Sequence, residues 1–150
     1  MVRLEVIELA EPMSSALEDL KLYAAVADDS QKGILMSSLR SAMDAVQRVA
    51  DSALLAGRWR VCVDEHPGVV SVYMGGKVEK VTDGQGLPVS FIQRGRKVYL
   101  STEDYVEVEF TTEVIPAEYA RLLPVICQYA TALYDGQDDK TLNSILKQCL

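Results

Sequence analysis

Apolar residues near the start of the chain recur at the spacing of an amphipathic helix. Residues 3–9 first form an extended segment that ends before Pro12, and Leu17 and Leu20 then lie three residues apart. Residues three or four apart share one face of a helix. The pattern therefore predicts a short strand or extended arm, followed by a helix over about residues 16–27.

A second and longer helix is predicted from Gln31 to Ala56, with Gly57 as the residue that ends it. Its apolar positions keep a heptad spacing for about three repeats. They are Leu35, Leu39, Ala42, Val46, Val49, Ala53 and Ala56. Small neighbouring residues allow another helix to approach closely. Leu35, Leu39 and Val46 are therefore candidate subunit-interface residues, and an ordinary core helix is the alternative interpretation.

The segment VADDSQKG, residues 26–33, lies between these helices and raises the question of a calcium-binding loop. An EF-hand loop has oxygen ligands at alternating positions and a glutamate at its twelfth position. Asp28 is followed directly by Asp29, so the spacing fails. Acidic side chains instead favour the N-terminus of a helix. The segment predicts a joint between two helices and no metal site.

After the second helix, the hydrophobic period changes from that of a helix to that of a strand. Apolar residues alternate with polar ones, as in Trp59 and Val61 or Val106 and Val108, which predicts five or six antiparallel strands over residues 58–112. Turn signals separate the strands at Pro67-Gly68, Gly75-Gly76, Asp83-Gly84 and Arg94-Gly95-Arg96. The predicted strands include VVSVYM at residues 69–74 and LPVSFI at residues 87–92.

Helical periodicity returns at Pro116, a residue that suits the first turn of a helix. A proline inside a helix costs about 3 kcal/mol. We therefore predict a short turn through Leu122 and a separate helix from Pro124 to Tyr134.

A last helix is predicted over residues 138–150, with Asp138 as its N-cap. Its apolar stripe consists of Leu142, Ile145, Leu146 and Leu150. A helix of about twelve residues is marginal by itself and must dock on another surface. These four residues are candidate interface residues, and docking within their own subunit is the alternative.

These elements together predict an α+β fold in a single domain over residues 1–150. A helical bundle, with two N-terminal helices in residues 14–57 and two C-terminal helices in residues 116–150, carries an antiparallel β module inserted at residues 58–112. Apolar residues make up 49% of the chain and charged residues 25%, which is typical of a globular domain. We expect no membrane span, because no apolar run approaches ~20 residues. We also expect no signal peptide, because the start MVRLEVIELAEP alternates acids with aliphatics and lacks an uninterrupted apolar region.

The net charge of −7 argues against a protein that wraps nucleic acid through a basic face. The densest basic cluster is the turn Gln93-Arg94-Gly95-Arg96-Lys97. Arg94, Arg96 and Lys97 are candidate contacts for DNA or for an acidic neighbouring surface, and a solvated turn is the alternative.

The sequence lacks the groupings that carry catalysis. His66 is the sole histidine, and it lies in a turn. Cys62, Cys127 and Cys149 are far apart without a CxxC pair, which predicts reduced, mostly buried thiols and no zinc site. We therefore expect no enzyme activity, no cofactor and no bound metal.

Four stretches resemble the head–tail connector proteins of tailed bacteriophages and prophages. The stretch LEDLKLYAAVADDSQKGILMSSLRSAMDAV is similar to the opening of that family, and HPGVVSVYMGGK to its central strand. YVEVEFTTEVIP with LLPVICQYATALYDG is similar to its last strand and Leu-Pro helix. The family's Tyr-x-x-Gly after the last strand is replaced here by Thr111-Thr112-Glu113.

The resemblance implies a structural virion protein of the head–tail neck, made in the cytoplasm of a bacterial host. It implies an adaptor that docks on the portal protein as a ring, usually a dodecamer, and extends the DNA channel toward the tail. Its expected partners are the portal, further copies of itself, and a stopper or other neck and tail proteins. DNA would pass without specific binding, since an acidic lumen repels phosphates. The C-terminal stripe would then be a candidate portal contact.

Two alternatives stay open. One is another neck or tail-completion protein, such as a stopper or tail terminator. The other is a small non-enzymatic module that binds a ligand or peptide on its β face.

Overall fold

The computed structural model describes residues 1–25 and 30–150, so the predicted joint at Asp28-Asp29 lies outside the described residues. The chain forms two compact units. The β unit consists of Met1–Ala10 and Ala56–Glu113, and the helical unit of Glu11–Leu55 and Val114–Leu150. The α+β class predicted from the sequence is confirmed.

The β unit contains antiparallel strands in two sheets. In chain order they are β1 (Val2–Leu9), β2 (Gly57–Val63), β3 (Val69–Ser71), β4 (Lys77–Asp83), β5 (Phe91–Arg94), β6 (Lys97–Leu100) and β7 (Val106–Thr112). The large sheet has the order β1-β2-β7-β4, and the small sheet has the order β3-β6-β5. The extended segment predicted at residues 3–9 is thus an edge strand of the large sheet.

The alternation of β2 and β7 forms the core face of the large sheet. Trp59 pairs with Phe110, and Val61 with Val108, and all four side chains are buried. The Trp59 and Phe110 rings stack with centroids 6.5 Å apart, and the indole N–H donates to Thr112 Oγ1 at 3.2 Å. Burying an indole requires such a partner for its N–H, so Thr112 completes the core.

The opposite face of the large sheet carries charges whose sign alternates from strand to strand. Glu5, Arg60, Glu109 and Lys80 lie side by side in one row across β1, β2, β7 and β4. The Arg60 guanidinium contacts Glu109 at 3.0 Å and Glu5 at 3.6 Å. The hydrogen bond to Glu109 raises the pKa of Arg60. Opposite charges on neighbouring strands favour this strand order.

Two strands differ from their predicted limits. The strand predicted at residues 69–74 ends at Ser71, because Tyr73–Gly75 form a 3₁₀ turn in which Met74 has a φ of 56°. A Cβ on the following Gly76 would collide with the Phe110 ring, so this tight turn requires glycine. The strand predicted at residues 87–92 begins at Phe91 instead.

The helical unit contains α1 (Ser14–Tyr23), α2 (Lys32–Ala50), α3 (Pro116–Tyr134) and α4 (Asp139–Leu146), with a 3₁₀ turn at Lys147–Cys149. The apolar positions predicted on α1 and the first four predicted on α2 are buried, and so are three positions of α3 for which no spacing was predicted. These include Leu17, Leu20, Leu35, Leu39, Ala42, Val46, Leu122, Ile126 and Ala130.

The prediction that α2 runs to Ala56 was wrong, because the helix ends at Ala50. Asp51 takes the left-handed conformation, with φ 52° and ψ 42°. The buried Gln47 side chain then accepts hydrogen bonds from the backbone N–H groups of Leu54 at 3.1 Å and Leu55 at 3.2 Å. These two bonds provide acceptors for the backbone N–H groups in the turn after the helix. Gly57, which was expected to end the helix, is instead the first residue of β2.

The prediction of a break at Pro124 was also wrong, since α3 is continuous with Pro124 inside it. A helical proline leaves the carbonyl of the residue four positions earlier without its N–H partner. That residue is Ala120, and both Ala120 and Pro124 are exposed. Water can therefore solvate the freed carbonyl, which reduces the cost of an internal proline.

Replacing Gln47 by leucine should destabilise the protein by about 3 kcal/mol, because two buried N–H groups lose their acceptor. The free energy of unfolding, measured by urea denaturation, checks this. Gln148→Leu is the matched control, since Gln148 is exposed and its change should stay within about 0.5 kcal/mol. Equal effects of the two substitutions would contradict the role assigned to Gln47.

Candidate assembly surfaces

The described part of the chain offers surfaces as its candidate functional sites. Within residues 1–25 and 30–150, no three or more His, Cys, Asp or Glu side chains are grouped to hold a metal ion. No helix in those ranges combines the length and apolar character needed to cross a bilayer.

The predicted basic residues come together at the end of the β5–β6 hairpin. Arg94 pairs with Lys97 across the turn, and Gly95 adopts a φ of 60°. Arg94, Arg96 and Lys97, here called the basic tip, are all exposed. The hairpin therefore presents three cations in a surface of net negative charge.

Gln93 fixes the hairpin to β4. Its amide oxygen accepts from the Val78 N–H at 2.8 Å, and its amide nitrogen donates to the carbonyls of Gly76 at 2.8 Å and Gly95 at 3.0 Å. A side chain that makes three backbone hydrogen bonds holds the turn in one orientation. The sequence did not indicate this role, because the partners of Gln93 in and beside β4 are distant from it in sequence and meet it only in the folded chain.

The hairpin also has an apolar side. Ile92 and Tyr99 are cross-strand partners that remain 60% and 42% exposed. With Arg94 they line a shallow cavity of about 200 Å³. A wider cleft of about 670 Å³ is lined by residues that include Lys77 and Arg96. The combination of exposed apolar side chains and cations is typical of a protein-contact surface.

Four exposed acids lie at the other end of the small sheet. Asp64 and Glu65 precede β3, Glu103 and Asp104 follow β6, and the group is here called the acidic end. The His66 Nε2–H donates to the Asp104 carbonyl at 2.7 Å, while Nδ1 accepts from the Gly68 N–H at 3.1 Å. The turn histidine thus joins the two acidic loops.

Strand direction separates the basic tip from the acidic end. Lys97 begins β6 opposite Ser71, whereas Leu100 ends β6, and its N–H donates to the Gly68 carbonyl at 2.8 Å. The tip precedes β6 and the acids follow it. The small sheet therefore carries opposite charges at its two ends.

The predicted C-terminal stripe divides into a buried half and an outer half. Leu142 and Ile145 are buried with Ala132 of α3 in the helical unit. Leu146 is half-buried and Leu150 is 90% exposed. The first pair docks within its own subunit, so Leu146 and Leu150 remain as the accessible part of this candidate surface.

The candidates on α2 lie inside the helical unit. Leu35, Leu39 and Val46 are fully buried there, so a neighbouring subunit would meet other residues of this unit. Leu22 and Ile34 are the exposed alternatives, at 81% and 55%. Their exposure could not be inferred from the heptad stripe, because both lie off it.

The helical unit also holds two carboxylates whose charged form is stabilised. Hydrogen bonds from Arg121, at 2.7 Å, and from Ser52, at 3.2 Å, lower the pKa of Glu118. The backbone N–H of Thr141 lowers the pKa of Asp138, the N-cap of α4, through a 2.9 Å bond. The predicted cap at Asp138 is confirmed.

The three cysteines are free. Cys62 and Cys127 are buried and Cys149 is half-buried, in line with the prediction of mostly buried thiols. Burial raises the pKa of the Cys127 and Cys149 thiols, which disfavours the reactive thiolate form.

Three solved structures share this fold over nearly the whole chain. One is a chain from the neck of an empty gene transfer agent (GTA) particle computed with C6 symmetry, at 15% identity and a TM-score of 0.63, with 99% of this chain and 94% of that chain covered. A second comes from the virion of a native GTA particle, at 15% identity and a TM-score of 0.63, with 97% and 93% covered. A third comes from the neck of a native GTA particle computed with C12 symmetry, at 14% identity and a TM-score of 0.52, with 95% and 94% covered.

No family profile matches the sequence, and no curated protein sequence matches it. At 14–15% identity the structural likeness establishes the fold. The resemblance to a virion neck protein predicted from the sequence is therefore confirmed at the level of the fold.

Replacing Asp138 by alanine should lower the melting temperature by a few degrees, because α4 loses its N-cap. Because the pKa of Asp138 is lowered in the folded chain, its carboxylate stabilises the fold at any pH above the ordinary aspartate pKa of 3.8. This contribution is lost as the pH falls through the pKa of the folded state. The difference between wild type and variant should therefore shrink on acidification. A difference that stays constant down to strongly acidic pH in thermal melts would contradict the assignment.

Proposed function

We propose that this chain is a structural protein of a virion neck and that it assembles into a ring around the path of the DNA. The observation that carries the proposal is the likeness to GTA neck chains over 99% of this chain and 94% of the other. The C6 and C12 symmetry of those necks supports a ring. A likeness over both units, instead of one, supports a shared place in the particle.

Within the neck, the proposed position is that of the adaptor, which docks on the portal and extends the channel toward the tail. The support is the sequence resemblance to head–tail connectors. A stopper or tail terminator is the alternative, and the partner decides between them, because an adaptor binds the portal ring directly. A peptide- or ligand-binding module is less favoured, because the cleft of about 670 Å³ beside the basic tip is lined by three glycines, two cations and a glutamine, with Val78 and Phe91 as its apolar side chains.

Ring closure requires a heterologous contact, in which two different surfaces of the subunit meet. The small sheet has complementary surfaces for this, since the basic tip and the acidic end lie at its opposite ends. We assign the basic tip to the acidic end of the neighbouring copy in preference to DNA. In a ring of subunits that each carry a charge of −7, three exposed cations on each copy counter the repulsion between neighbours.

The proposed portal contact is the outer half of the C-terminal stripe, Leu146 and Leu150. Leu150 exposes 90% of its surface at the end of the described chain, next to a 3₁₀ turn at Lys147–Cys149. An exposed leucine that follows a docked helix can enter a pocket of a partner without unfolding the helix. Nothing in this role involves a chemical step, so the proposed function is non-enzymatic.

Charge reversal of the basic tip, Arg94→Glu with Arg96→Glu, should raise the concentration needed for ring assembly by roughly tenfold, since attraction becomes repulsion at every subunit contact. Light scattering against protein concentration measures this. Lys32→Glu with Lys80→Glu is the matched control, because both lysines are exposed and the net charge changes equally.

A second reversal at the acidic end, Glu103→Lys with Asp104→Lys, separates the neighbour contact from DNA contact. Combined with the reversed tip in one chain, it should restore assembly. If the reversed tip lowers infectivity without weakening assembly, the tip contacts DNA and the assignment fails. If it weakens assembly and the combined variant does not restore it, the tip contacts a surface other than the acidic end, and the assignment fails as well.

Leu150→Ser should abolish binding to a portal ring in co-sedimentation while leaving the melting temperature unchanged, because the side chain is exposed. Leu142→Ser is the contrasting variant. It should cost about 2–5 kcal/mol of stability, since Leu142 is buried against α3. A Leu150→Ser chain that still binds the portal places that contact elsewhere. If the wild type binds a stopper ring but not a portal ring, the adaptor position is wrong.

A further inference from the structure

The two edge strands of the large sheet differ in whether their outward-pointing backbone groups have hydrogen-bond partners. On the β4 edge, the Val78 N–H donates to the Gln93 side chain at 2.8 Å, and the Val81 carbonyl accepts from the Val89 N–H at 2.9 Å. The Asp83 N–H donates to the Leu87 carbonyl, also at 2.9 Å. This edge is covered by its own unit.

The β1 edge has no partner strand within the described residues. The Asp64 N–H donates to the Met1 carbonyl at 3.2 Å, which fixes the hydrogen-bonded positions of β1 as Met1, Arg3 and Glu5. Polar backbone groups alternate along an antiparallel strand, so those of Val2, Leu4 and Val6 point away from β2. An eight-residue strand with free N–H and C=O groups is a template for another strand.

The side chains along this edge are complementary to themselves. In an antiparallel pair centred on Leu4, Leu4 lies opposite Leu4 of a second copy, Val2 opposite Val6, and Arg3 opposite Glu5. Each position in Val2-Arg3-Leu4-Glu5-Val6 then meets a residue of the same apolar character or of opposite charge.

The hydrogen-bonding pattern fits the same register. The outward-pointing residues Leu4, Val2 and Val6 would form the hydrogen-bonded pairs of the new ladder, and such pairs recur at every second residue in an antiparallel ladder. Val2 and Val6 are 54% and 41% exposed in the single chain and lie on the core face of the sheet, opposite Val63 and Trp59. A second copy would cover these two exposed apolar side chains, and their burial would stabilise the pairing of the two edges.

We infer that the open edge of β1 binds β1 of a second copy, in the antiparallel register centred on Leu4. The two large sheets then join into one continuous sheet of eight strands across a twofold axis. Such a contact uses the same surface on both copies and closes after two, so it cannot build the ring. It is a dimer of the free chain, which protects the edge before assembly and goes beyond the proposed neck function.

The test is sedimentation equilibrium of the full chain over a range of concentrations, with wild type expected as a reversible dimer. In the Arg3→Glu variant, residue 3 of each copy places a negative charge opposite Glu5 of the other copy. These two repulsive pairs should raise the dimer dissociation constant by about tenfold. Lys80→Glu is the matched control, with the same charge change on the same face but on the covered β4 edge. It should dimerise like wild type.

Mixing two variants with opposite charge changes gives the most specific test of the register. Glu5→Lys also disfavours its own dimer, but Arg3→Glu and Glu5→Lys chains should pair with each other more tightly than either pairs with itself. The melting temperature of each variant shows whether it is folded. Should Glu5→Lys fail to fold, because Glu5 contacts Arg60, Leu4→Pro takes its place, as it removes the central outward N–H and should abolish the dimer.

A wild type that stays monomeric at all concentrations, or that assembles beyond two copies without a dimer, overturns the inference. So does an Arg3→Glu chain that dimerises as well as the Lys80→Glu control. Because ring assembly and portal binding are measured separately, loss of the dimer with intact rings leaves the proposed function standing. Loss of rings with an intact dimer leaves this inference standing.

Discussion

The pairing of β2 with β7 is the interaction on which the β unit depends. The strands are about fifty residues apart in sequence and pair without interruption from Gly57↔Thr112 to Val63↔Val106. One face stacks Trp59 on Phe110, and the other joins Arg60 to Glu109 at 3.0 Å. A slip of one residue would move every apolar side chain to the charged face. Both the core and the surface charges therefore fix this register, and β1 and β4 add to its two sides.

The sequence revealed the elements better than their ends. The change of period after the second helix located the β module, and the alternation of Val106, Val108 and Phe110 matches a strand with one buried face. The end of α2 was missed because it depends on Gln47, whose side chain replaces the acceptors that a terminal glycine motif would supply. The break at Pro124 was wrongly predicted because the free-energy cost of a proline inside a helix depends on whether water reaches the freed carbonyl, and Ala120 is exposed. Neither fact is encoded within a short window of sequence.

The candidate surfaces were predictable where they are local and unpredictable where they depend on packing. A basic turn such as Arg94 to Lys97 is contiguous in the chain, and the structure keeps it exposed as one cluster. The acidic end was missed because its two pairs of acids are about forty residues apart in sequence, and the hydrogen bond of 2.7 Å from His66 to the Asp104 carbonyl joins their loops in the fold. An apolar stripe is more ambiguous, since the same spacing describes buried Leu142 and exposed Leu150.

A sheet that must join a larger assembly cannot leave both edges open, because unpaired edges associate without selectivity. Here Gln93 serves two purposes, since the same amide that closes the β4 edge also holds the basic tip in place. The β1 edge is instead left to pair, with Arg3 and Glu5 spaced so that the register centred on Leu4 matches charge with charge. Charge complementarity thus limits each contact to one kind of partner. Without it, the exposed valines of β1 would accept any extended apolar chain.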